Sequence, residues 1–406
     1  MSLDIAAIRA EFPALAVTDG GRPRIYFDAP GGTQVCRRAI EAMVRHLEHG
    51  TANSGGAFAT AVATDAMAEE AHEGMADLLG GDASEIAFGP NMTTLTLAVS
   101  RALARRFAPG DELVVTRLDH DANVAPWLLV ARDAGMAVRW LDFDPETGRL
   151  RLDDLPPLLN ARTRLVALGG ASNALGTIND VAEAVRIVRA HSGALVYVDA
   201  VQSVPHVATD VRALGCDFLA CSPYKFFGPH QGVLWGRAEL LEELEVYKLR
   251  PSPDFPAALR FETGTPSYEG MAGTIGAVEH IASLGEGASR RERIVSAMNR
   301  VAEHERTLGR RFLDGLARLQ RMKLYGPDEV EGRVPTFSFT IEGMTARQAA
   351  ERLAERGIFA WSGNFYAKEA ITRLGLDASG GLLRVGFCQY STAEEVDALL
   401  ETLAEL

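Results

Sequence analysis

Lys225 stands in SPYKFFGPHQG, residues 222–232, directly after the apolar run FLAC. An amine at the end of a buried-looking strand is either a surface cation or a nucleophile. Its neighbours Tyr224, Phe226 and Phe227 leave both readings open, and the rest of the sequence decides between them. Other chemistry-bearing residues follow other apolar runs. Asn91-Met92-Thr93-Thr94 comes after EIAFGP, His120 lies in the stretch 119–123 after ELVVTRL, and Ser172-Asn173 follows RLVALGG. Asp199 and Gln202 close the run ALVYVDAVQ. Each has a plain structural use: Asn91 or Thr93 as a helix cap, His120 as a half-buried imidazole, Asp199 as a turn carboxylate. Taken together they suit more. A phosphate fits a helix N-terminus carrying Thr93, and an acid beside a lysine fits a cationic ring plus an imine.

Elements that would bring these residues together are legible from residue 85 to 237. Short, continuously apolar runs (EIAFGP, ELVVTRL, AVRWLDF, RLVALGG, ALVYVDA, FLACSPY and GVLWGR) are separated in several places by amphipathic segments such as TLTLAVSRALARRF and DVAEAVRIVRAHS. Continuous apolarity over four to seven residues is expected of strands covered on both faces. Strand–helix alternation predicts an α/β fold with a mainly parallel seven-stranded sheet. Ligands of such sheets bind at the strands' carboxyl ends, where the clusters fall. Near residue 285 the pattern changes. A long charged helix (RRERIVSAMNRVAEHERTLGRRFLDGLARL) leads to a strand (TFSFTIEG), a helix opened by Thr345, the loop WSGNFYAKE, a strand (LLRVGFC) and a closing helix started by Ser391 or Thr392. This reads as a smaller α+β domain. The expected division is a large domain over 20–284 and a small one over 1–19 and 285–406.

A chain of 406 residues exceeds one compact core, and its 47% hydrophobic and 23% charged residues mark a globular protein. The net charge of −13, with no block of lysine or arginine, argues against nucleic acid or an anionic membrane as a partner. MSLDIAAIRAEFPAL reads as an amphipathic helix rather than a signal peptide, and no apolar run is long enough to span a bilayer. Four cysteines (Cys36, Cys216, Cys221, Cys388) without C-x-x-C spacing indicate neither zinc nor a disulfide framework. A reducing cytoplasm is the expected setting. A plain nucleotide-binding protein is disfavoured, because no G-x-G-x-x-G or G-x-x-x-x-G-K-[ST] follows the first strand of the alternating region.

VDAVQSVPH followed by SPYKFFGPHQG resembles the pyridoxal phosphate signature of fold-type I, class V aminotransferase-like enzymes, nearest the cysteine desulfurase and selenocysteine lyase group. The resemblance extends through YFDAPGG, LDHDANVAPW, SNALGT, RFETGTP and RVGFCQYST. It implies pyridoxal 5′-phosphate as cofactor, an amino-acid substrate and a homodimer with the site between subunits. Lys225 would form the Schiff base, Asp199 would pair with the pyridine nitrogen, and His120 would stack on the ring. Gln202 would donate to the phenolic oxygen, with Asn173 near that oxygen and the substrate. Thr93, the Met92 amide, Ser222 and Tyr224 would hold the phosphate, with Tyr224 standing where histidine is common. Arg384 would grip the substrate α-carboxylate. Thr265 would reach the second subunit's phosphate, although Tyr268 replaces a threonine often found nearby.

The resemblance breaks at one place that matters. Related sulfur-transferring enzymes carry R-T-G-x-x-C on a mobile loop. Here the stretch is Trp361-Ser362-Gly363-Asn364-Phe365-Tyr366, with no thiol, and a phenol does not accept sulfur as a thiolate does. Cys388 is expected in a strand of the core, Cys36 in a helix, Cys216 before a strand and Cys221 within one. Asn53-Ser54-Gly55-Gly56 replaces a segment that often bears histidine and arginine beside the substrate, leaving room for a larger group. The expected activity is that of a cysteine desulfurase-like enzyme without the persulfide cysteine, of C–S or C–Se lyase type. Transamination and epimerisation are the alternatives within the class. A non-catalytic protein of the same fold is the alternative outside it, disfavoured because Lys225, Asp199, His120 and Arg384 are all present.

Overall fold

The computed structural model describes residues 3–406. Met1 and Ser2, which open the expected N-terminal helix, lie outside the described residues. The seven apolar runs form one sheet: β1 (Ile86–Gly89), β2 (Glu112–Thr116), β3 (Ala137–Leu141), β4 (Thr163–Gly169), β5 (Leu195–Asp199), β6 (Phe218–Cys221) and β7 (Gly232–Gly236). Their order is β1-β7-β6-β5-β4-β2-β3. Strand β7 runs antiparallel to both β1 and β6, and the other pairings are parallel. Strand β1 therefore points the same way as β6, and its carboxyl end joins those of β2, β4, β5 and β6.

Continuous apolarity has the expected cause. Along the central strands Val114, Val166, Val196, Val198 and Leu219 enter one core, while Leu113, Val115, Leu165, Ala167 and Tyr197 enter another on the opposite face. All are essentially inaccessible to solvent. Each such aliphatic side chain contributes roughly 1.5–3 kcal/mol by burial, so a charge placed at Val166 would unseat the sheet that aligns the site.

A second sheet comprises β8 (Met322–Tyr325), β9 (Thr336–Ile341), β10 (Trp361–Gly363) and β11 (Leu382–Gly386), all antiparallel, in the order β8-β9-β11-β10. The helix Arg290–Leu316 packs Leu308, Phe312 and Leu316 on it, and the closing helix Ala393–Glu405 adds Val396, Leu399 and Leu403. Three helix starts in this part of the chain carry capping boxes, in which a hydroxyl accepts from the third residue's amide while that residue's side chain accepts from the cap's own amide. They are Ser289 with Glu292, Thr345 with Gln348, and Thr392 with Glu395. Thr392, rather than Ser391, thus starts the closing helix.

Four local expectations need correction. The stretch WSG is not loop: Trp361 pairs with Arg384 and Gly363 with Leu382 on the edge of the second sheet. Three residues ended by a glycine at φ 125° are too short for a period to show in sequence. Cys36 is the residue before the helix Arg37–Glu48, in extended conformation, rather than inside it. Cys388 lies two residues beyond β11, in a buried turn closed by its amide donating to Ser391 Oγ. The N-terminal helix ends at Ala10, since Pro13 disfavours the α conformation at Phe12 and opens a separate short turn.

Candidate active site

The carboxyl ends of β1, β2, β4, β5 and β6 open on a cavity of about 950 Å³, closed from the other side by residues 361–366 and Arg384. The side chains there come from turns that the strands deliver in register. Asn91 caps the helix Met92–Ala104, its Oδ1 accepting from Thr94 N at 2.8 Å, which aims the helix's free amides and Thr93 at the cavity. Free amides at a helix start favour an anion.

Lys225 is buried, and its Nζ donates to the carbonyl of Pro30. Burial lowers its pKa to about 7, with Arg384 adding to the shift and Asp199 and Asp28 opposing it. Gln202 donates to the same carbonyl at 2.9 Å. The chain can reach both groups because residues 28–32 turn back sharply, Gly31 and Gly32 donating to Asp28 O. Gly31 is needed there because a Cβ would run into the Trp361 indole, and at Gly32 it would press on the Tyr224 ring.

Asp199, the last residue of β5, is buried, and its Oδ1 accepts from Val201 N at 2.9 Å. Burial raises its pKa to about 6, against that hydrogen bond and the nearby Lys225. His120 Nδ1 accepts from Ala122 N at 3.0 Å, which leaves Nε2 to carry the proton. Burial, then Lys225 and Arg384, lower its pKa to about 4, so the imidazole is neutral at pH 7. Beneath it Asp119 accepts from Thr116 Oγ1 at 2.7 Å, Asn123 Nδ2 at 2.7 Å and Gly169 N at 2.9 Å. Burial nevertheless raises its carboxyl to about 7.

Arg384 comes from the second sheet. It is buried, donates Nη1 to Asn173 O at 2.7 Å and lies 4.1 Å from the centre of the Phe365 ring. Asn173 Nδ2 donates to Phe365 O at 2.8 Å, and Asp121 N donates to Tyr366 O at 2.7 Å. Both Phe365 and Tyr366 have left-handed backbones, φ 55° and 58°.

Met92, Thr93, His120, Asn173, Asp199, Gln202, Ser222, Tyr224, Lys225 and Arg384 all line this one cavity. Thr265 does not. With Tyr268, Asn53 and Ser54 it lines a second cavity of about 680 Å³, so within one chain the 53–56 segment does not border the main site. Tyr224 stacks on His230 with centroids 4.8 Å apart. The residue reading missed Asp28, whose pKa burial raises to about 6 while Arg384 and Lys225 oppose the shift. It also missed Pro30 and the aromatic wall of Trp361 and Phe365. The motif YFDAPGG was the available signal for the first two.

The residues fit pyridoxal 5′-phosphate. Asn173 Oδ1 and Arg384 Nε are buried without a hydrogen-bond partner in this cavity. Lys225, Arg384 and a helix start supply positive potential for phosphate and carboxylate, and Asp199 offers a buried anion for a ring cation. No cysteine lines the cavity. All four are buried, and burial raises every one of their pKa values. Among the described residues no group of His, Cys, Asp or Glu is placed to hold a metal ion.

Comparison with known proteins gives the family and the fold. The family model described as Aminotransferase class-V matches residues 25–399. The chain is 32% identical over 413 residues to the aminotransferase-like protein FGM3 of Gibberella zeae, covering 99% of this chain and 98% of that one. It is 30% identical over 421 residues to a cysteine desulfurase of Serratia proteamaculans, covering 100% and 99%. The apo structure of a cysteine desulfurase from Thermococcus onnurineus NA1 superposes with a TM-score of 0.89 at 28% identity, covering 100% and 98%.

Proposed function

The chain belongs to the class-V aminotransferase family, and we propose that it acts on an α-amino acid as a C–S or C–Se lyase without a protein persulfide. It is a pyridoxal 5′-phosphate-dependent enzyme of fold type I, desulfurase-like in sequence. One observation carries the finer reading: a cavity that joins a low-pKa amine to a buried guanidinium has no thiol in its walls.

When bound, the cofactor supplies an aldehyde that condenses with amines and a ring that accepts the electron pair left at an amino acid's α-carbon. Lys225 Nζ, half unprotonated near pH 7, is the amine for that aldehyde and the base for the α-proton. Asp199 would hold a proton at the ring nitrogen, and neutral His120 would offer its flat face. Thr93, Met92 N, Ser222 and Tyr224 would hold the phosphate, and Gln202 the ring oxygen. Arg384 and Asn173 would orient the substrate carboxylate, which fixes the bond that faces Lys225.

In the same reading the large domain spans 20–284, and the small one 1–19 with 285–406. The working unit is a cytoplasmic homodimer in which Thr265 reaches the second copy's phosphate. The net charge of −13 supports a partner list without nucleic acid or membrane. Among the described residues no helix is long and apolar enough to cross a membrane.

The test is borohydride reduction of the loaded protein followed by peptide mass analysis, with product assays alongside. A pyridoxyl group on Lys225, and pyruvate with sulfide or selenide from cysteine-type substrates, are the expected results. An unmodified Lys225 refutes the site. A keto acid of unchanged skeleton, or the opposite enantiomer, moves the reaction to transamination or epimerisation.

A further inference from the structure

We infer that the substrate's side chain is large and apolar beyond its β-carbon, an S-alkyl- or S-aryl-cysteine rather than free cysteine; this rests on the lyase reading above. The first ground is size. A cavity of about 950 Å³ sits at the top of the roughly 300–1,000 Å³ range of ligand pockets, which is generous for a cofactor and a three-carbon amino acid.

The second ground is the wall. Beyond the polar end, Leu97, Pro126, Leu129, Trp361, Phe365 and Tyr366 line the cavity. In the single chain Leu129, Trp361 and Tyr366 are 42%, 53% and 73% exposed, so within one chain much of this apolar surface faces the mouth. The wall also stands beside the polar groups. Phe365 lies over the Arg384 guanidinium, the Tyr366 ring is 5.6 Å from that of His120, and Trp361 rests against Gly31, next to the Pro30 carbonyl that accepts from Lys225. A substrate held through its carboxylate by Arg384 therefore meets aromatic surface as its side chain leaves the α-carbon.

The third ground is charge. Lys225 and Arg384 are the cavity's lysine and arginine, and both are committed. Among the described residues of one chain a second carboxylate on the substrate would find no counter-ion in this cavity, and Asp121 at the rim would repel it.

The missing thiol then follows from the chemistry. Lys225 Nζ takes the α-proton, the Cβ–S bond breaks, and sulfur keeps the electron pair and gains a proton, leaving as a thiol. The remaining 2-aminoacrylate is hydrolysed by water to pyruvate and ammonium. No oxidant, reductant or acceptor cysteine is needed.

The test titrates the loaded enzyme with S-benzyl-L-cysteine, L-phenylalanine, L-cysteine and L-aspartate, following the cofactor's visible absorbance, and assays pyruvate and thiol release. Both aromatic amino acids are expected to half-saturate at concentrations at least about tenfold below those of cysteine and aspartate, a ratio of the size one apolar contact gives. Trp361→Ala should shrink the S-benzylcysteine-to-cysteine ratio by about tenfold. Cysteine saturating as readily as S-benzylcysteine, or an unchanged ratio in both Trp361→Ala and Phe365→Ala, overturns the inference alone. A protein that takes up no cofactor, or answers no amino acid, removes the lyase reading and this one together.

Discussion

Lys225 and Gln202 donate to the same acceptor, the carbonyl of Pro30, from two different strand ends. The shared carbonyl holds the amine and the amide side by side at the mouths of β6 and β5. Because that oxygen is neutral, it orients Nζ without the charge that would restore an ordinary lysine pKa, and burial keeps control.

The pH dependence of cofactor uptake follows. An amine bonds to an aldehyde only when unprotonated, so the reactive fraction of Lys225 rises with pH through about 7. Cofactor-free protein mixed with pyridoxal phosphate should gain visible absorbance at a rate that is half-maximal near that pH. A midpoint near the ordinary lysine value of about 10.4 would show that the amine is not desolvated.

Arg384 should separate binding from chemistry. Replacing it with alanine removes a charge-assisted pair of donors, about 1.5–3 kcal/mol for a charged hydrogen bond, and should raise KM some ten- to a hundredfold with a smaller fall in kcat. Arg384→Lys keeps the charge but loses the fork, and should recover only part of the loss. Steady-state kinetics decide. A KM within twofold of the parent in the alanine variant removes the carboxylate role.

Asp119 gives a stability prediction with a definite sign. Its folded pKa of about 7 lies above the ordinary carboxyl value, so the native state holds this proton more tightly than the unfolded chain does. The stabilisation is complete only below about pH 4 and is lost progressively as pH rises from there through about 7. Its ceiling is on the order of 4 kcal/mol at 1.36 kcal/mol per pKa unit. Asp119→Asn lacks this term but loses the acceptor for Asn123 Nδ2. The parent should therefore lose melting temperature relative to the variant between about pH 4 and pH 8. A pH-independent difference between the two would mean that Asp119 titrates normally.

Much of the site was legible because strand ends announce themselves. The run ALVYVD stops at Asp199 and FLAC stops before Ser222, and parallel pairing of β4, β5 and β6 aligns those stops on one edge. Contributions from the second sheet were harder to read. Arg384 was found through the RVGFC pattern, but nothing local shows that Phe365 covers it, since that contact joins β11 by side-chain packing to the turn that follows the short edge strand β10. Pro30 escaped for a different reason: it acts through a backbone carbonyl, which every residue possesses. Thr265, Asn53 and Ser54 border another cavity of this chain, a separation that no strand-end signal in the sequence reveals.

The turn at Phe365–Tyr366 should behave as a clip held by a small margin. Each left-handed non-glycine residue costs roughly 1–2 kcal/mol. The offsetting bonds, Asn173 Nδ2 to Phe365 O, Asp121 N to Tyr366 O, Tyr366 N to Asn364 Oδ1 and Ala367 N to Asn364 O, return roughly 0.5–1.5 kcal/mol each, and aromatic packing on Arg384 and His120 adds to them. Asn173→Ala removes one bond and should let the turn open more often. Hydrogen exchange at the Asp121 amide, which depends on the turn staying closed, should then quicken by about five- to tenfold, as about 1 kcal/mol implies. Exchange at the parent rate would mean that the remaining contacts hold the turn, and that Asn173 serves only the bound molecules.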